Sequence, residues 1–207
     1  MADIDPETAR VGGRSQPERL SQHDVCLVSG GVRLRPMTEE DWTILLRWYS
    51  DPDVLYYCEG DDVQAYSLED IQGMYRTVSQ TALCFIIEHE GRPVGECWLQ
   101  HMNLDWVRDA FQGQECWRVD IMLGEKGLWG RGVGSTAIRL LSRYAFEADG
   151  ADIVFACGIA DYNPRSQRAF ARNGFAVWRV VPEPPGRKAA TTAYLMLSRE
   201  RYLASEL

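Results

Sequence analysis

The order of hydrophobic and polar residues predicts eight β-strands in this chain. Residues 32–37 alternate apolar side chains with Arg33 and Arg35, which is the pattern of a strand with one buried face. Residues 152–159 form a nearly continuous apolar run, which is typical of a buried strand. The predicted strands cover residues 25–28, 32–37, 82–88, 93–101, 117–123, 152–159, 175–181 and 191–197.

Helix-capping signals predict four helices between these strands. Thr38 is followed three residues later by Asp41, which resembles a capping box, and residues 67–70 repeat this spacing. Gly174 suits the position just after a helix that begins at Asn163. The predicted helices cover residues 38–49, 67–79, 133–148 and 163–173, whereas residues 50–66 and 102–114 are predicted to be loops.

The resulting order is β-β-α-α-β-β-β-α-β-α-β-β, in which four strands follow a strand and three follow a helix. This order predicts an α/β (α+β) fold with a mixed, mostly antiparallel central sheet flanked by helices. Residues 1–22 are polar and show no periodicity, so we expect a disordered tail followed by a single domain over residues 23–207.

The composition narrows the class of protein. The formal net charge is −8 at pH 7, and a nucleic-acid-binding protein would instead present a basic face. The acidity suits a cationic substrate, but it suits simple solubility equally well. No apolar run is long enough to cross a membrane, and the polar N-terminus lacks the apolar core of a signal peptide, so we expect a cytoplasmic protein.

The six cysteines are scattered along the chain. They form no Cys-x-x-Cys pair and show no Cys/His spacing suited to zinc. We therefore expect free thiols in a reducing compartment, and neither a disulfide framework nor a bound metal.

A glycine-dense turn lies between the predicted strand 117–123 and the predicted helix 133–148. Gly130, Gly132 and Gly134 let the backbone approach an anion closely, and the unpaired N–H groups of a first helical turn favour negative charge. The spacing G-x-G-x-G differs from the dinucleotide-binding G-x-G-x-x-G, and the Gly-Lys-Ser/Thr of a P-loop is absent. The turn therefore predicts a pyrophosphate site, with tight packing alone as the alternative.

Two motifs resemble the GNAT superfamily of N-acetyltransferases. The turn Trp129-Gly130-Arg131-Gly132-Val133-Gly134 resembles its Q/R-x-x-G-x-G/A loop, with Trp129 where Gln or Arg is usual. The segment Asn163-x-Arg165-Ser166-x-x-x-Phe170-x-x-Asn173-Gly174-Phe175 resembles a helix of the same superfamily.

The N-terminal half resembles one branch of that superfamily, the aminoglycoside 6′-N-acetyltransferases. This likeness rests on Val32 to Asp41, on Arg47-Trp48, on Tyr56-Tyr57-Cys58-Glu59-Gly60-Asp61-Asp62, and on Ser67 to Tyr75. Together the resemblances cover roughly residues 25–200.

The resemblance implies acetyl-CoA as co-substrate. A backbone N–H near Met122 would polarise the thioester carbonyl group. The residues implied to bind acetyl-CoA are Ile121, Met122, Leu123, Trp129, Gly130, Arg131, Gly132, Val133, Gly134, Ser135, Asn163 and Arg168.

Asp120 is the candidate catalytic residue. It lies in the predicted strand 117–123, where a carboxylate is costly unless it has a partner or a task. Pairing with Arg118 or exposure to solvent would give it a purely structural role, whereas the resemblance implies that it contacts the amine and acts as general base. The superfamily often has a tyrosine acid where this chain has Phe170, so water, Tyr162 or no group at all would protonate the departing thiolate.

The resemblance further implies a small polycationic acceptor, an aminoglycoside, modified at its 6′-amine. Carboxylates would meet its ammonium groups, and aromatic rings would lie under its sugars and cations. The residues expected to bind it are Trp48, Tyr57, Glu59, Asp61, Asp62, Trp106, Asp120 and Asp161. Acetylation of another amine (a protein N-terminus, a polyamine or hydroxylysine) stays open, as does a non-catalytic acyl-CoA-binding sensor. A monomer and a homodimer are both compatible with the sequence.

Overall fold

The structure, a computed structural model, describes residues 17–59 and 65–205. In these ranges it contains one eight-stranded sheet and seven α-helices. The strands are β1 (Leu27–Ser29), β2 (Val32–Pro36), β3 (Ala82–His89), β4 (Arg92–His101), β5 (Cys116–Leu123), β6 (Ile153–Ala160), β7 (Ala176–Pro182) and β8 (Thr191–Ser198). The helices are α1 (Trp42–Trp48), α2 (Pro52–Cys58), α3 (Leu68–Val78), α4 (Asp105–Ala110), α5 (Val133–Glu147), α6 (Pro164–Ala171) and α7 (Arg199–Ala204).

The sheet has the strand order β1-β2-β3-β4-β5-β6-β8-β7, and only β5 and β6 are parallel among its neighbouring pairs in the described ranges. The predicted fold class, a mixed and mostly antiparallel sheet flanked by helices, is confirmed. The pairing of β5 with β6 covers only Cys116–Arg118 against Ile153–Phe155, although both strands continue further. The two strands therefore separate beyond this short ladder.

Each face of the sheet carries its own hydrophobic core. Alternate residues of a strand point to opposite faces, so Cys97 and Leu99 of β4 join the core beneath α5, whereas Trp98 joins the core beneath α1, α2 and α3. Glu96 shares the face of Trp98, two residues away on the same strand. This alternation places a carboxyl group beneath the N-terminal helices.

Two of the predicted loops contain helices. The segment after α1 was expected to be irregular, but Asp51 caps α2 by accepting hydrogen bonds from the N–H groups of Asp53 and Val54, and Pro52 occupies the first helical position. An Asp-Pro pair both ends one helix and starts the next, because proline is well tolerated in a first turn. Helix α4 lies in the other predicted loop, and α7 follows the last predicted strand.

Ordered structure begins earlier than residue 23. Leu20 is 5% exposed and packs in the core beneath α1–α3. Its N–H donates to Glu39, and the N–H of Ser21 donates to the hydroxyl of Ser79. Leu20 and Ser21, which fall in the range 1–22 expected to be a tail, thus contact the domain, and residues 1–16 lie outside the described residues.

All six cysteines are free thiols, and four of them are buried. The described part of the chain brings together no group of three His, Cys, Asp or Glu side chains that could hold a metal ion. Among the described helices, none is long and apolar enough to cross a membrane.

Candidate active site

A cleft of about 390 Å³ lies where β5 and β6 separate. One wall is β5 from Val119 to Leu123, and the opposite wall is β6 from residue 156 to residue 160. The end of α2, the glycine turn before α5 and the polar residues of α6 complete the lining. The cleft is thus built from the same segments that carry both sequence motifs.

The glycine turn has the backbone conformation that only glycine adopts easily. Gly130 has φ +76° and Gly132, the N-cap residue of α5, has φ +89°. A Cβ atom at either position would have no heavy atom within 4 Å, so the space above the turn is open. The first N–H groups of α5, a helix of 15 residues, point into this space.

These features fit the pyrophosphate of acetyl-CoA. A helix N-terminus with an open glycine turn binds anions, and Arg165, Arg168 and Arg172 line the same cleft. Of the residues predicted to bind acetyl-CoA, the cleft is lined by Ile121, Met122, Leu123, Trp129, Gly130, Gly132, Gly134, Ser135, Asn163 and Arg168. Arg131 is exposed outside the lining, and Val133 is buried in the core beneath α5, so that only its backbone is available.

The backbone groups that face the cleft belong to Ile121 and Leu123 and not to Met122. The carbonyl of Leu123 accepts a hydrogen bond from the indole N–H of Trp129, at 2.8 Å, so it points away from β4. A Cβ atom on Gly95 of β4 would clash with the carbonyl oxygen of Met122, so this carbonyl points towards β4. Since the N–H and C=O of one strand residue point the same way, the N–H groups of Ile121 and Leu123 are the donors available to a carbonyl oxygen.

Trp129 joins the glycine turn to the opposite wall of the cleft. The guanidinium of Arg165 lies 4.1 Å from the centroid of Trp129 and 4.1 Å from that of Tyr57. The two rings also meet edge to face, with centroids 5.6 Å apart. Because the indole N–H is bonded to Leu123, the side chain of Trp129 organises the turn and leaves contact with an anion to the backbone.

Asn163 has two partners within the protein. Its side-chain oxygen caps α6 by accepting from the N–H of Ser166, and its amide group donates to the carbonyl of Tyr57. Next to it, the hydroxyl of Tyr162 donates to the carbonyl of Glu59. The segment before α6 therefore fixes the end of α2 beside the cleft, as well as lining it.

Asp120 lines the cleft and is ion-paired with Arg118. The guanidinium donates from Nε to Oδ2 and from Nη2 to Oδ1, both at 2.8 Å, and a third nitrogen donates to Asn103. Both residues are buried, at 5% exposure for Arg118 and 7% for Asp120. Burial alone would lower the pKa of Arg118, but the charge and hydrogen bonds of Asp120 raise it above its ordinary value. The structure thus shows the pairing that the sequence left open.

Glu96 is the site residue that sequence reasoning missed. It lines the cleft on β4 and is 1% exposed, and the structure shows no hydrogen-bond partner for Oε2 among the described residues. Burial, followed by the charge of Asp120, raises its pKa to about 8. The sequence contained a signal for Glu96, because it is a carboxylate inside a predicted strand, as Asp120 is.

Only some of the residues expected to bind the acceptor lie at the cleft. Tyr57 and Glu59 line the cleft, and Glu59 is 9% exposed. Trp48 is 1% exposed in the core, where it packs against Gly124 and donates to Glu125. Asp61 and Asp62 lie outside the described residues.

Trp106 and Asp161 lie outside the lining of the cleft. Trp106 stacks on Trp178 with centroids 5.4 Å apart and meets the edge of Tyr194, which does line the cleft. The carboxylate of Asp161 accepts from the N–H groups of Ala190 and Thr191 and so fixes the start of β8. Both side chains therefore have structural partners that the sequence pattern did not reveal.

Phe170 and Tyr162 both lie at the cleft. Phe170 is 2% exposed and meets Phe175 edge to face, so this position carries a core residue with no proton to give. Burial, with smaller effects of Tyr56 and Asp161, raises the pKa of Tyr162 to about 12, so its hydroxyl keeps its proton at neutral pH.

Comparison with known proteins agrees with this geometry. Residues 32–176, more than half of the chain, match the family described as acetyltransferase (GNAT) domain. Similar solved structures include AAC(6′)-Ib with ribostamycin and coenzyme A, which has a TM-score of 0.69 and 19% identity over 86% of this chain and 99% of that chain. AAC(6′)-Ib with coenzyme A and kanamycin has a TM-score of 0.67 and 19% identity over 85% of this chain and 99% of that chain. A GNAT-family acetyltransferase from Bacillus anthracis has a TM-score of 0.68 and 18% identity over 85% of this chain and 99% of that chain. The chain therefore belongs to the GNAT family of acetyltransferases, with acetyl-CoA as the acetyl donor that the sequence predicted.

Proposed function

We propose that the protein transfers the acetyl group of acetyl-CoA to an amino group of an aminoglycoside, at the 6′-amine, and so confers resistance. The observation that carries the proposal is the set of buried carboxyl groups at the cleft, namely Glu59, Glu96 and Asp120. Such a set favours a cation over a neutral or anionic acceptor. The likeness to AAC(6′)-Ib, solved with ribostamycin and with kanamycin, supports the same class of acceptor.

Glu96 is the carboxyl group best suited to accept a proton from the amine. The oxygens of Asp120 are both engaged by Arg118, whereas Oε2 of Glu96 has no hydrogen-bond partner among the described residues. A pKa of about 8 is close to the working pH, which favours proton transfer in a general base. An ammonium group that approaches Glu96 would favour its ionised form and then lose a proton to it.

The remaining parts of the site position the reactants. Acetyl-CoA, when bound, supplies an acetyl group activated as a thioester. The N–H groups of Ile121 and Leu123 face the cleft and are placed to hydrogen-bond a carbonyl oxygen. Tyr57 and Trp129 form aromatic walls, and the N–H groups of the first turn of α5 hold negative charge at the other end.

The test is thiol release from acetyl-CoA with a panel of amines: kanamycin, tobramycin, spermidine, a peptide with a free N-terminus, and hydroxylysine. We expect the largest kcat/KM with an aminoglycoside, and NMR of the product should show an acetamide at the 6′ position. Expression in a susceptible bacterium should raise the tolerated kanamycin concentration, with Glu96→Gln as the inactive control.

Two outcomes would replace this proposal. A larger kcat/KM for the polyamine, the peptide or hydroxylysine would assign the enzyme to that acceptor. Tight coenzyme A binding with no thiol release from any amine would indicate a non-catalytic sensor.

A further inference from the structure

Two buried tyrosine hydroxyl groups lie next to Glu96, in the core beneath α1, α2 and α3. Tyr49 follows α1 and Tyr75 belongs to α3, and both side chains are 0% exposed. Tyr75 also meets Trp98 edge to face across the sheet face that carries Glu96. Two hydroxyl groups in an apolar core need hydrogen-bond partners, and here the partners are each other and the carboxyl group of Glu96.

The direction of these hydrogen bonds follows from counting protons. The hydroxyl of Tyr49 lies 3.4 Å from Oε1 of Glu96, to which it donates. Each hydroxyl has one proton, so the 3.0 Å hydrogen bond between the two tyrosines must be donated by Tyr75. Burial raises the pKa of both tyrosines well above the ordinary value, so both protons stay in place. The chain of donors therefore runs from Tyr75 through Tyr49 to Glu96.

We propose that the Tyr49–Tyr75 pair positions the carboxyl group of Glu96 for proton transfer from the acceptor amine. The inference rests on the proposed function, in which Glu96 is the general base. The pair binds Oε1, so that Oε2, which is buried and has no hydrogen-bond partner among the described residues, is the unbonded oxygen of a side chain that lines the cleft. Tyr49 and Tyr75 are positioning residues, because neither of them lines the cleft itself.

The pair also acts against the groups that keep Glu96 protonated. Burial, the charge of Asp120 and the charge of Glu59 each raise the pKa of Glu96, while the two tyrosine hydroxyl groups lower it. Other titratable or charged groups near this carboxyl group are Cys84 on β3, Cys97 on β4, Cys58 at the end of α2 and Arg118 on β5, which is paired with Asp120. A hydroxyl donor binds an ionised carboxylate more strongly than a neutral acid, so the two tyrosines favour the form that can accept a proton.

The test compares Tyr49→Phe and Tyr75→Phe with Tyr202→Phe. Tyr202 is a matched control, because its hydroxyl also donates to a glutamate, Glu147 at 2.8 Å, at a place outside the cleft. The acid limb of the pH profile of kcat/KM should move to higher pH by about half to one unit in the first two variants, which is a loss of about three- to tenfold at pH 7. The activity should recover at pH 9, KM for acetyl-CoA should not change, and Tyr202→Phe should keep the wild-type profile.

A second measurement does not depend on turnover. Titration of the unliganded protein by NMR, with 13C at the glutamate carboxyl groups and Glu96→Gln for assignment, reports the pKa of Glu96 directly. We expect it to rise in Tyr49→Phe and Tyr75→Phe. An unchanged titration of Glu96 in either folded variant would overturn the inference, whereas failure of the wild type to acetylate any amine would reject the proposed function and leave this measurement intact.

Discussion

Arg118 holds both carboxylate oxygens of Asp120 at 2.8 Å, and this pairing distinguishes Asp120 from Glu96, another carboxyl group at the cleft. Asp120 is the residue that the sequence offers as general base, yet each of its oxygens already accepts a hydrogen bond from a bidentate partner. Oε1 of Glu96 accepts a hydrogen bond from the hydroxyl of Tyr49, whereas Oε2 has no hydrogen-bond partner among the described residues. The proposed function therefore gives proton transfer to the ionised form of Glu96 and leaves Asp120 in its ion pair.

Replacing Glu96 by Gln should lower kcat/KM for the acceptor by about 10²- to 10⁴-fold, because general acid–base groups contribute effects of this size. Steady-state kinetics measures the loss, and calorimetry should show unchanged coenzyme A affinity. The discriminating variant is the double substitution Arg118→Gln with Asp120→Asn, which removes the ion pair without leaving a charge. We expect it to keep kcat/KM within about tenfold of wild type. A loss as large as that of Glu96→Gln would return the role of base to Asp120.

Removal of Arg118 alone should destabilise the fold. Arg118→Gln leaves the buried charge of Asp120 uncompensated, which costs about 3–5 kcal/mol, whereas replacing a whole buried pair is often close to neutral. Urea unfolding should therefore show a large decrease in the free energy of unfolding for Arg118→Gln and a much smaller one for the double variant. Equal losses in the two proteins would mean that the pair is not coupled.

The raised pKa of Glu96 predicts opposite effects of pH on activity and stability. Burial and the charge of Asp120 raise this pKa from 4.5 to about 8, so the folded protein keeps a proton that the unfolded chain loses above 4.5. The contribution of Glu96 to stability is full below that value, decreases as pH rises towards about 8, and changes little above it. Over the same interval kcat/KM should increase, because the base becomes ionised. Glu96→Gln should remove both slopes, and urea unfolding and kinetics from pH 5 to 9 provide the comparison.

Gly132→Ala should weaken coenzyme binding through the backbone. A residue with a Cβ at φ +89° is strained, by about 1–2 kcal/mol, although the space around it is open. The matched control is Gly127→Ala in the same loop, which has open space and no positive φ. Isothermal calorimetry should show weaker coenzyme A binding for Gly132→Ala only. Equal affinities in both variants would argue against a role for the turn in binding.

Trp48→Ala should act on stability and leave acceptor recognition alone. Trp48 is 1% exposed, packs on Gly124 and donates to Glu125 at 2.9 Å. Loss of a buried tryptophan costs about 3–5 kcal/mol, which thermal or urea unfolding detects. KM for the acceptor, measured on the folded fraction at low temperature, should stay within about twofold. A large change in KM would place Trp48 in the acceptor site after all.

Most elements of the fold could be predicted because their signals are local. The capping box at Ser67 and Asp70, the alternation in β2 and the glycine turn before α5 each depend on a few neighbouring residues. Helix α2 was not predicted, because an Asp-Pro pair occurs both after the end of a helix and at the start of one, and the local pattern does not distinguish the two cases. Local patterns thus predicted where segments lie better than where they begin.

The site was predicted less completely, because its geometry depends on which strand faces meet. Glu96 and Asp120 lie on one face of adjacent strands, and their proximity depends on the register of β4 with β5. Trp48 was assigned to the acceptor by its neighbours in sequence, but the packing of α1 on the sheet turns it into the core. In the same way, the carboxylate of Asp161 is used by the start of β8, a contact between residues about 30 positions apart.

The guanidinium of Arg165, placed between Tyr57 and Trp129, has a consequence for how the acceptor range of this enzyme can evolve. A smaller residue in place of Tyr57, which is proposed to contact the acceptor, would remove one of the two rings that hold Arg165 and would loosen the contact of Arg165 with Trp129 in the turn. Such a change would trade new substrates against the affinity for the shared co-substrate.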